Sequence, residues 1–222
     1  MLMIKAKTEI LTNISEGGIE ELKLIELIGR TCYKSEDKIA EDGSTAKKFV
    51  KQLINSGHEA MLEHSLLTVK FTVDRGITHE LVRHRLFSFA QESTRYCNYS
   101  KDKFGNQITF IVPCYLDYIN LDGGFYEWKK ACIEAEEAYF KMLNEGCTPQ
   151  EARAVLPNST KSDIIVSGNY RQWRHFFNLR AAEVTGKVHL QMKEVTIPLL
   201  EEVHNRIPIV FDDIWEKCNG KV

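Results

Sequence analysis

A dense run of hydrogen-bond donors stands between Arg83 and Tyr96. Three arginines, one histidine and two serines fall within these fourteen residues, although the 29 basic and 31 acidic residues of the chain leave a net charge of −2. Arginine presents a rigid fork of donors that matches phosphate oxygens, and serine hydroxyls add donors to the same anion. The run therefore predicts an anion site. The alternative is a solvated basic patch that is paired with Glu80 and Glu92.

A second concentration of polar side chains lies between Asn169 and Arg180. Drawn as a helix at about 100° per residue, one face carries Arg171, Arg174, His175 and Asn178. The opposite face carries Trp173, Phe176 and Phe177, and Arg180 projects among them. A guanidinium among aromatic rings is costly unless it has a partner or serves a site. Arg180 is therefore either a functional cation or an arginine that snorkels from the helix end.

The other common patterns for metal, nucleotide or covalent chemistry do not occur. His79 and His84 are five positions apart and His58 and His64 six, which on a helix turns the second ring about 140° or 120° from the first. The six cysteines are scattered without a C-x-x-C pair, so we expect free thiols and no metal site. Since G-x-G-x-x-G, the P-loop pattern and G-x-S-x-G are all absent, any nucleotide must be held by side chains.

The elements that position these residues follow from hydrophobic periodicity. Apolar runs predict strands at residues 2–12, 67–73, 108–112 and 164–166. Helical spacing predicts helices at residues 19–33, 45–55, 77–84, 125–143, 148–157, 170–182 and 189–205. The helix after Thr148 has an additional signal, because Thr148-Pro149-Gln150-Glu151 combines a capping box with proline at the first helical position. We therefore expect an α+β (α/β) protein with three to five strands and long helices.

Length and composition favour an ordinary globular domain. The 222 residues are 43% hydrophobic and 27% charged, which excludes disordered and low-complexity classes. No linker divides the chain, so a single compact domain over residues 1–222 is expected. The charge balance gives no general attraction to nucleic acid or membranes. The N-terminus lacks the pattern of a signal peptide and no apolar run approaches about 20 residues, so the expected compartment is the cytoplasm.

The arginine-rich run also carries a longer pattern. Arg83, His84, Arg85, Ser88, Ser93 and Arg95 match R-H-R-x-x-S-x-x-x-x-S-x-R, and the sequence thereby resembles the flavin-dependent thymidylate synthases. Further matches occur in the expected order and cover most of the chain: Gly57-His58-Glu59 through Glu63-His64, Arg153 to Pro157, Asn169 with Arg171, and Phe177 to Arg180.

The resemblance implies a reaction and a fold. Members of this family convert dUMP to dTMP with a methylene group from methylenetetrahydrofolate and with reducing equivalents that pass from NADPH through FAD, without an enzyme nucleophile. The implied fold is a single α/β domain with a small antiparallel or mixed sheet and long helices. The implied assembly is a homotetramer in which more than one subunit builds each active site, with no metal.

The resemblance also assigns roles to residues by their position in the motifs. Arg180 is the implied catalytic residue, because a permanent cation against the uracil stabilises negative charge on the ring. The implied dUMP contacts are Glu80, Arg83, Gln91, Ser93, Arg95, Arg153 and Arg180. The implied FAD contacts are Ala60, Arg83, His84, Arg85, Asn169, Arg171 and His175, and His58 lies on the flavin and folate side. Ser88 is expected to be structural.

Four residues differ from the commonest family pattern, namely Glu80 for glutamine, Gln91 for glutamate and Ala60-Met61 for Ser/Thr-Pro. Two other functions remain open. The phosphate-binding arginines also suit a flavin- and folate-dependent methyltransferase that acts on another uridine-like substrate. Arginines interleaved with aromatic residues also suit an RNA-binding module, which the net charge of −2 disfavours.

Overall fold

The computed structural model describes residues 1–116 and 123–220, and it contains two β-sheets over those ranges. The strands are β1 (Leu2–Ile4), β2 (Lys7–Ile10), β3 (Leu66–Asp74), β4 (Ser88–Gln91), β5 (Thr109–Ile111) and β6 (Lys161–Asn169). β1 and β5 form a parallel pair in which Leu2 lies opposite Thr109 and Ile4 opposite Ile111. The second sheet has the strand order β2-β3-β6-β4.

The described part of the chain contains eight α-helices. They are α1 (Ile19–Thr31), α2 (Ser44–Asn55), α3 (Arg75–Leu81), α4 (Gly123–Asn144), α5 (Pro149–Ala152), α6 (Tyr170–Arg180), α7 (Leu190–Arg206) and α8 (Asp212–Asn219). Within the same ranges, none of these helices combines the length and apolar character needed to cross a membrane. The expected α+β class with small sheets and long helices is confirmed.

Local signals explain where several helices begin. The expected capping box before α5 is confirmed, since Glu151 accepts hydrogen bonds from the backbone nitrogen and the hydroxyl of Thr148, each at 2.7 Å. α6 has a second capping box, in which Asn169 accepts from the Gln172 nitrogen at 3.0 Å and Gln172 accepts from the Asn169 nitrogen at 2.9 Å. Both boxes satisfy backbone groups that would otherwise lack partners at a helix N-terminus.

Several elements differ from those that the sequence predicts. The described residues hold six strands instead of three to five, because β4 falls inside the arginine-rich motif, where polar side chains hide the alternation. β6 covers nine residues instead of three, since its buried face includes Ser162 and Gly168 besides the apolar Ile164 and Val166. α3 ends at Leu81, three residues before the expected end. α8 was missed, because its eight residues bury only two side chains.

The described residues form two compact units, each with its own core. Unit 1 takes the described residues of Met1–Thr8, Lys70–His84 and Phe89–Ile165, and unit 2 takes those of Glu9–Val69, Arg85–Ser88 and Val166–Val222. The single domain expected from the sequence therefore stays a prediction. The core of unit 1 includes Tyr99, Ile108, Phe110, Cys132 and Tyr139.

The core of unit 2 is an aromatic cluster built on α6. Trp173 packs against Phe177 with a centroid distance of 5.6 Å, and its indole nitrogen donates to the Leu67 carbonyl of β3 at 2.9 Å. Phe87, two residues beyond the last arginine of Arg83-His84-Arg85, contacts the Trp173 ring with a centroid distance of 4.8 Å. Phe87 therefore belongs to the core of unit 2.

Because Gly168 has no side chain, the ring of Phe87 can occupy the space beside it. A Cβ atom at Gly168 would overlap two ring carbons of Phe87 and would lie 2.7 Å from Oε1 of Gln172. The φ angle of Gly168 lies outside the left-handed region, so the requirement for glycine is steric and not conformational.

Gly168→Ala is expected to lower the free energy of unfolding by about 1–3 kcal/mol, because an added methyl group overpacks a filled site. Urea unfolding at constant pH measures the change. Gly123→Ala is the matched control, since a Cβ at Gly123 meets no atom of the described residues within 4 Å. Equal stabilities of the two variants would contradict the steric role of Gly168.

Candidate functional site

Most of the residues predicted to bind the nucleotide lie in unit 1. This unit contains Glu80, Arg83, Gln91, Ser93, Arg95 and Arg153, whereas Arg180 lies in unit 2. Gln91 ends β4, and its amide nitrogen donates to Oγ1 of Thr78 at 3.0 Å and to Oγ of Ser162 at 3.1 Å. Because Thr78 Oγ1 already donates to the carbonyl of Arg75 at 2.9 Å, it accepts from Gln91, which assigns the amide orientation.

Two exposed arginines come together on unit 1. Nε of Arg95 donates to Oε1 of Gln150 at 2.8 Å, and Nη1 of Arg153 donates to Oγ1 of Thr94 at 3.3 Å. These two hydrogen bonds connect residues 94–95 to α5 and to the turn that follows it. The arrangement offers two guanidinium groups in one region, which suits a phosphate.

Glu92 does not pair with the arginines of the motif. The alternative of a solvated basic patch paired with Glu80 and Glu92 is therefore wrong for Glu92. Its carboxylate lies 2.9 Å from Nζ of Lys161, which also lies 2.6 Å from Asp163. Burial disfavours the charge on Lys161, but hydrogen bonds to Asp163 and Glu92 outweigh it and raise the lysine pKa. Burial also opposes the charge on Asp163, yet hydrogen bonds from Lys161 and Thr72 hold its pKa below the ordinary value.

A cavity of about 410 Å³ lies within unit 2, and three residues predicted on the flavin side line it. These residues are His58, Ala60 and Arg171, and Cys32 and Tyr33 at the end of α1 form another part of the wall. The volume falls within the range of about 300–1,000 Å³ that is typical of small-molecule sites. The cavity is therefore the candidate pocket for part of a cofactor.

The segment that follows His58 is a 3₁₀ helix over Glu59–His64. A 3₁₀ helix has about three residues per turn, so the α-helical phase that we used for His58 and His64 does not apply here. His84 in turn lies beyond the end of α3. Across residues 1–116 and 123–220, no group of three or more His, Cys, Asp and Glu side chains is arranged to hold a metal ion.

The polar face predicted for α6 divides into an exposed part and a buried part. Arg171 and His175 are exposed, and Nη1 of Arg171 lies 2.5 Å from Oε1 of Glu63. Asn169 is half-buried, and its oxygen caps α6 as described above. Arg174, which the helical projection placed on the same face as Arg171 and His175, is only 4% exposed. Residues that share a face in projection therefore differ in exposure, because α6 packs on more than one side.

Arg174 is buried because carboxylates meet it from two other segments. Nε lies 2.9 Å from Glu59, and Nη1 and Nη2 lie 2.7 and 3.1 Å from the two oxygens of Asp213 in α8. Nη1 also donates to the carbonyl of Val210. Burial disfavours the charge on Arg174, but the two carboxylates outweigh burial and raise its pKa. This arginine therefore connects the turn that lines the cavity to the C-terminal helix.

Arg180 lies at the C-terminal end of α6. The aromatic residues before it, Trp173, Phe176 and Phe177, are buried, while Arg180 itself is partly buried. Its carbonyl accepts a hydrogen bond from Thr196 Oγ1 of α7 at 2.9 Å. Two packed helices therefore hold the backbone from which this guanidinium extends.

The three leading residues of the arginine-rich motif stand after the end of α3. The Arg83 nitrogen donates to the Glu80 carbonyl at 3.2 Å, which closes the last turn. Arg83 and Arg85 are exposed, and His84 is partly buried. Arg83 and His84 belong to unit 1 and Arg85 to unit 2.

The structure groups the predicted residues into two sets. Unit 1 brings together the segments of Gln91, Ser93, Arg95 and Arg153, and unit 2 gathers His58, Ala60 and Arg171 around one cavity. The ligand contact of each residue stays a prediction. Sequence reasoning missed Cys32 and Tyr33, because nothing near them in the sequence marks a site. It also missed the role of Arg174, which Asp212-Asp213 near the C-terminus could have suggested.

Comparisons with known proteins show the family of the chain. Residues 19–209 match the family model described as Thymidylate synthase complementing protein (Thy1). The chain is 34% identical over 208 residues to the flavin-dependent thymidylate synthase of Corynebacterium aurimucosum, an alignment that covers 90% of this chain and 82% of that protein. It is 33% identical over 207 residues to the flavin-dependent thymidylate synthase of Pyrococcus furiosus, covering 89% of this chain and 78% of the relative.

A solved structure supports the fold. The chain superposes on the UMP/dUMP methylase PolB of Streptomyces cacaoi, bound with 5-Br dUMP, with a TM-score of 0.79 and 22% identity. The superposition covers 97% of each chain. At this level of identity the likeness is one of fold.

Asp213→Asn is expected to reduce the dependence of stability on acid pH. Burial favours the neutral carboxyl, but Arg174 and Lys217 hold the pKa of Asp213 below its ordinary value. The contribution is therefore complete above the unfolded pKa of about 3.9 and is lost as the pH falls through the lower folded pKa. Urea unfolding between about pH 6 and pH 3 measures it, and the slope of the variant should be shallower in the acid range.

The pKa of Asp163 is also lowered. The free energy of unfolding of the variant therefore still falls in acid, but less steeply. Glu216→Gln is the matched control, because it removes an exposed carboxylate from the same helix without touching Arg174. A slope for Asp213→Asn that equals the wild-type slope would contradict the role of the Arg174–Asp213 pair.

Proposed function

Because the chain belongs to the family of flavin-dependent thymidylate synthases, we propose that it converts dUMP to dTMP. The methyl carbon comes from methylenetetrahydrofolate. FAD, reduced by NADPH, supplies the hydride when it is bound. The observation that carries the proposal is the cavity in unit 2, because its lining includes three side chains that the resemblance implies on the flavin side, His58, Ala60 and Arg171.

The residues around this cavity fit a flavin. Arg171 is an exposed cation at its wall and suits a pyrophosphate, although it shares its charge with Glu63. Tyr33 is 80% exposed and offers an aromatic face at the wall. His58 and Ala60 line the same space, and we propose that His84, Arg85, Asn169 and His175 add the remaining contacts with Arg83.

We propose that unit 1 binds the nucleotide. Arg95 and Arg153 hold the phosphate, since both are exposed and their segments are joined. Ser93 adds a hydroxyl donor, and its oxygen accepts only the Arg95 backbone nitrogen, at 3.3 Å, among the residues that the structure describes. Gln91 offers its amide oxygen, and Glu80 and Arg83 complete the proposed set.

Arg180 is the proposed catalytic residue. A guanidinium keeps its positive charge at all physiological pH values, so it stabilises negative charge that develops on the pyrimidine ring. Anchoring at the junction of α6 and α7 fixes the backbone from which it extends. A rigid support is what electrostatic stabilisation requires, because the charge must already stand in place when the ring becomes negative.

We also propose a cytoplasmic homotetramer whose active sites are shared between subunits, with no nucleic-acid or membrane partner. Leu86 and Tyr96 of the arginine-rich motif are 76% and 79% exposed in the single chain. Large exposed apolar side chains beside a proposed site agree with burial by a second subunit. The net charge of −2 agrees with the absence of a polyanionic partner.

The function is tested by tritium release. With FAD, NADPH and methylenetetrahydrofolate, the purified protein is expected to release tritium from 5-tritiated dUMP and to form dTMP in step. Its visible spectrum should show flavin bands that shift when dUMP is added. Release from 5-tritiated UMP but not from dUMP would instead favour another uridine-like substrate, and an unchanged spectrum with no release from either nucleotide would contradict the proposal.

Arg180→Ala is expected to retain flavin and to lose turnover by about 10²–10³, the usual cost of removing one group that stabilises developing charge. Tritium release measures turnover, and flavin absorbance after gel filtration measures retention. Arg206→Ala is the matched control, because Arg206 lies on α7 in an exposed pair with Glu202.

Arg171→Ala is the contrasting variant. It changes a cation at the cavity wall, so flavin retention should fall. If Arg180→Ala keeps the turnover of Arg206→Ala, Arg180 is not the catalytic cation.

A further inference from the structure

Glu92 stands between Gln91 and Ser93, at a position that the arginine-rich motif leaves open. Its side chain is only 13% exposed, although both neighbours belong to the proposed nucleotide site. A buried carboxylate inside a segment that must attract phosphate is unexpected, since the two anions repel each other. The contacts of Glu92 explain why it is there.

The Glu92 residue fastens its segment to β6 by both its side chain and its main chain. Oε2 accepts hydrogen bonds from Nζ of Lys161 at 2.9 Å and from the backbone nitrogen of Asp163 at 3.3 Å. The backbone nitrogen of Glu92 donates in return to the carbonyl of Asp163 at 2.8 Å. The residue that precedes Ser93 is therefore held in both position and direction.

The β6 residues of this contact are themselves held by further hydrogen bonds. Asp163 accepts from Nζ of Lys161 at 2.6 Å and from Oγ1 of Thr72 in β3 at 2.6 Å. Nζ of Lys70, also in β3, lies 3.7 Å from Asp163. Because β3 and β6 are neighbouring strands, Lys161 is presented to Glu92 from a sheet and not from a mobile loop.

Tyr99 fixes the other end of the segment. Its hydroxyl donates to Oε1 of Glu92 at 3.2 Å, and its ring packs on Tyr139 of α4 with a centroid distance of 5.7 Å. Burial, together with the charge of Glu92, raises the pKa of Tyr99 far above its ordinary value, so the hydroxyl remains a donor. Residues 92–99 thus form a loop whose two ends meet at one carboxylate, and Ser93 and Arg95 lie within it.

We propose that Glu92 is a positioning residue for nucleotide binding, which sets the placement of Ser93 and Arg95 through Lys161 and Tyr99. The inference rests on the proposed function, because it takes the loop to be the phosphate-binding segment. A buried ion pair adds little stability over apolar side chains of the same volume. What it supplies here is a fixed geometry, and pairing with Lys161 also keeps Glu92 from neutralising the arginines.

The test uses Glu92→Gln in the FAD-loaded protein. A glutamine is neutral and has one acceptor oxygen, so it loses the ion pair with Lys161 and cannot accept from both Lys161 and Tyr99 as the carboxylate does. The Kd for dUMP, measured by calorimetry, and the KM for dUMP are expected to rise about tenfold, while kcat changes little, since an interaction equal in ground and transition states is lost.

Glu136→Gln is the matched control. Glu136 is also 13% exposed, pairs with a cation (the N-terminal ammonium, at 3.0 Å) and accepts a backbone N–H from Ile108 at 2.7 Å, but it lies outside the loop. It should change stability about as much as Glu92→Gln and leave the Kd for dUMP at the wild-type value. Tyr99→Phe removes one hydrogen bond with the ring retained, and a rise of about two- to fivefold in Kd is expected.

The outcomes separate the two levels of the proposal. If the wild type and Glu136→Gln fail to bind dUMP, the proposed function is wrong and the positioning role falls with it. If the wild type binds dUMP but Glu92→Gln binds equally well, or Glu136→Gln is impaired to the same extent, only the positioning role is overturned. Should Glu92→Gln not fold, an unchanged Kd for Tyr99→Phe overturns the role in its place.

Discussion

A charge that is taken out of water must meet an opposite charge, and each unit of this protein meets that requirement in the same way. In unit 2 a single buried cation, Arg174, contacts Glu59 and Asp213. In unit 1 the partly buried cation Lys161 contacts both Glu92 and Asp163. In both cases one carboxylate belongs to a segment of the candidate site and the other to the supporting framework. Separating either pair would leave a buried charge without a partner. Desolvation therefore holds the site segments in place against the framework.

This constraint also decides which cations are available to ligands. Six arginines occur in the two polar runs of the sequence, and composition alone treats them as equivalent. Arg174 is paired with two carboxylates. Arg95, and Arg153 outside the two runs, are exposed and donate only to neutral groups in the contacts that the described residues show. A neutral partner such as the Gln150 amide orients a guanidinium without cancelling its charge. Orientation by neutral groups is what an anion site needs, because the charge must remain for the ligand.

The periodic and capped parts of the fold could be predicted from the sequence, because their signals are local. The strand at Leu66–Asp74 alternates by itself, and the capping boxes before α5 and α6 need only four residues each. β4 could not be predicted, since its pairing with β6 depends on residues more than seventy positions away. The burial of Arg174 was missed for the same reason, because helical projection assumes one buried face, and Asp213 lies 39 positions further along the chain.

In the candidate site, the motif indicates candidate binding residues but not the residues that hold them in place. The motif predicts Arg83, Arg95 and Ser93 as ligand contacts, because a ligand contact would constrain both residue type and spacing. The positions between them are open in the motif, yet Phe87 and Glu92 occupy them and provide the anchoring. Phe87 fills the space beside Gly168, and Glu92 meets Lys161. A framework contact can be made by any pair of side chains that fits, so a motif of fixed residue types does not indicate it. The open positions of a motif are therefore where a chain of this family sets the geometry of its own site.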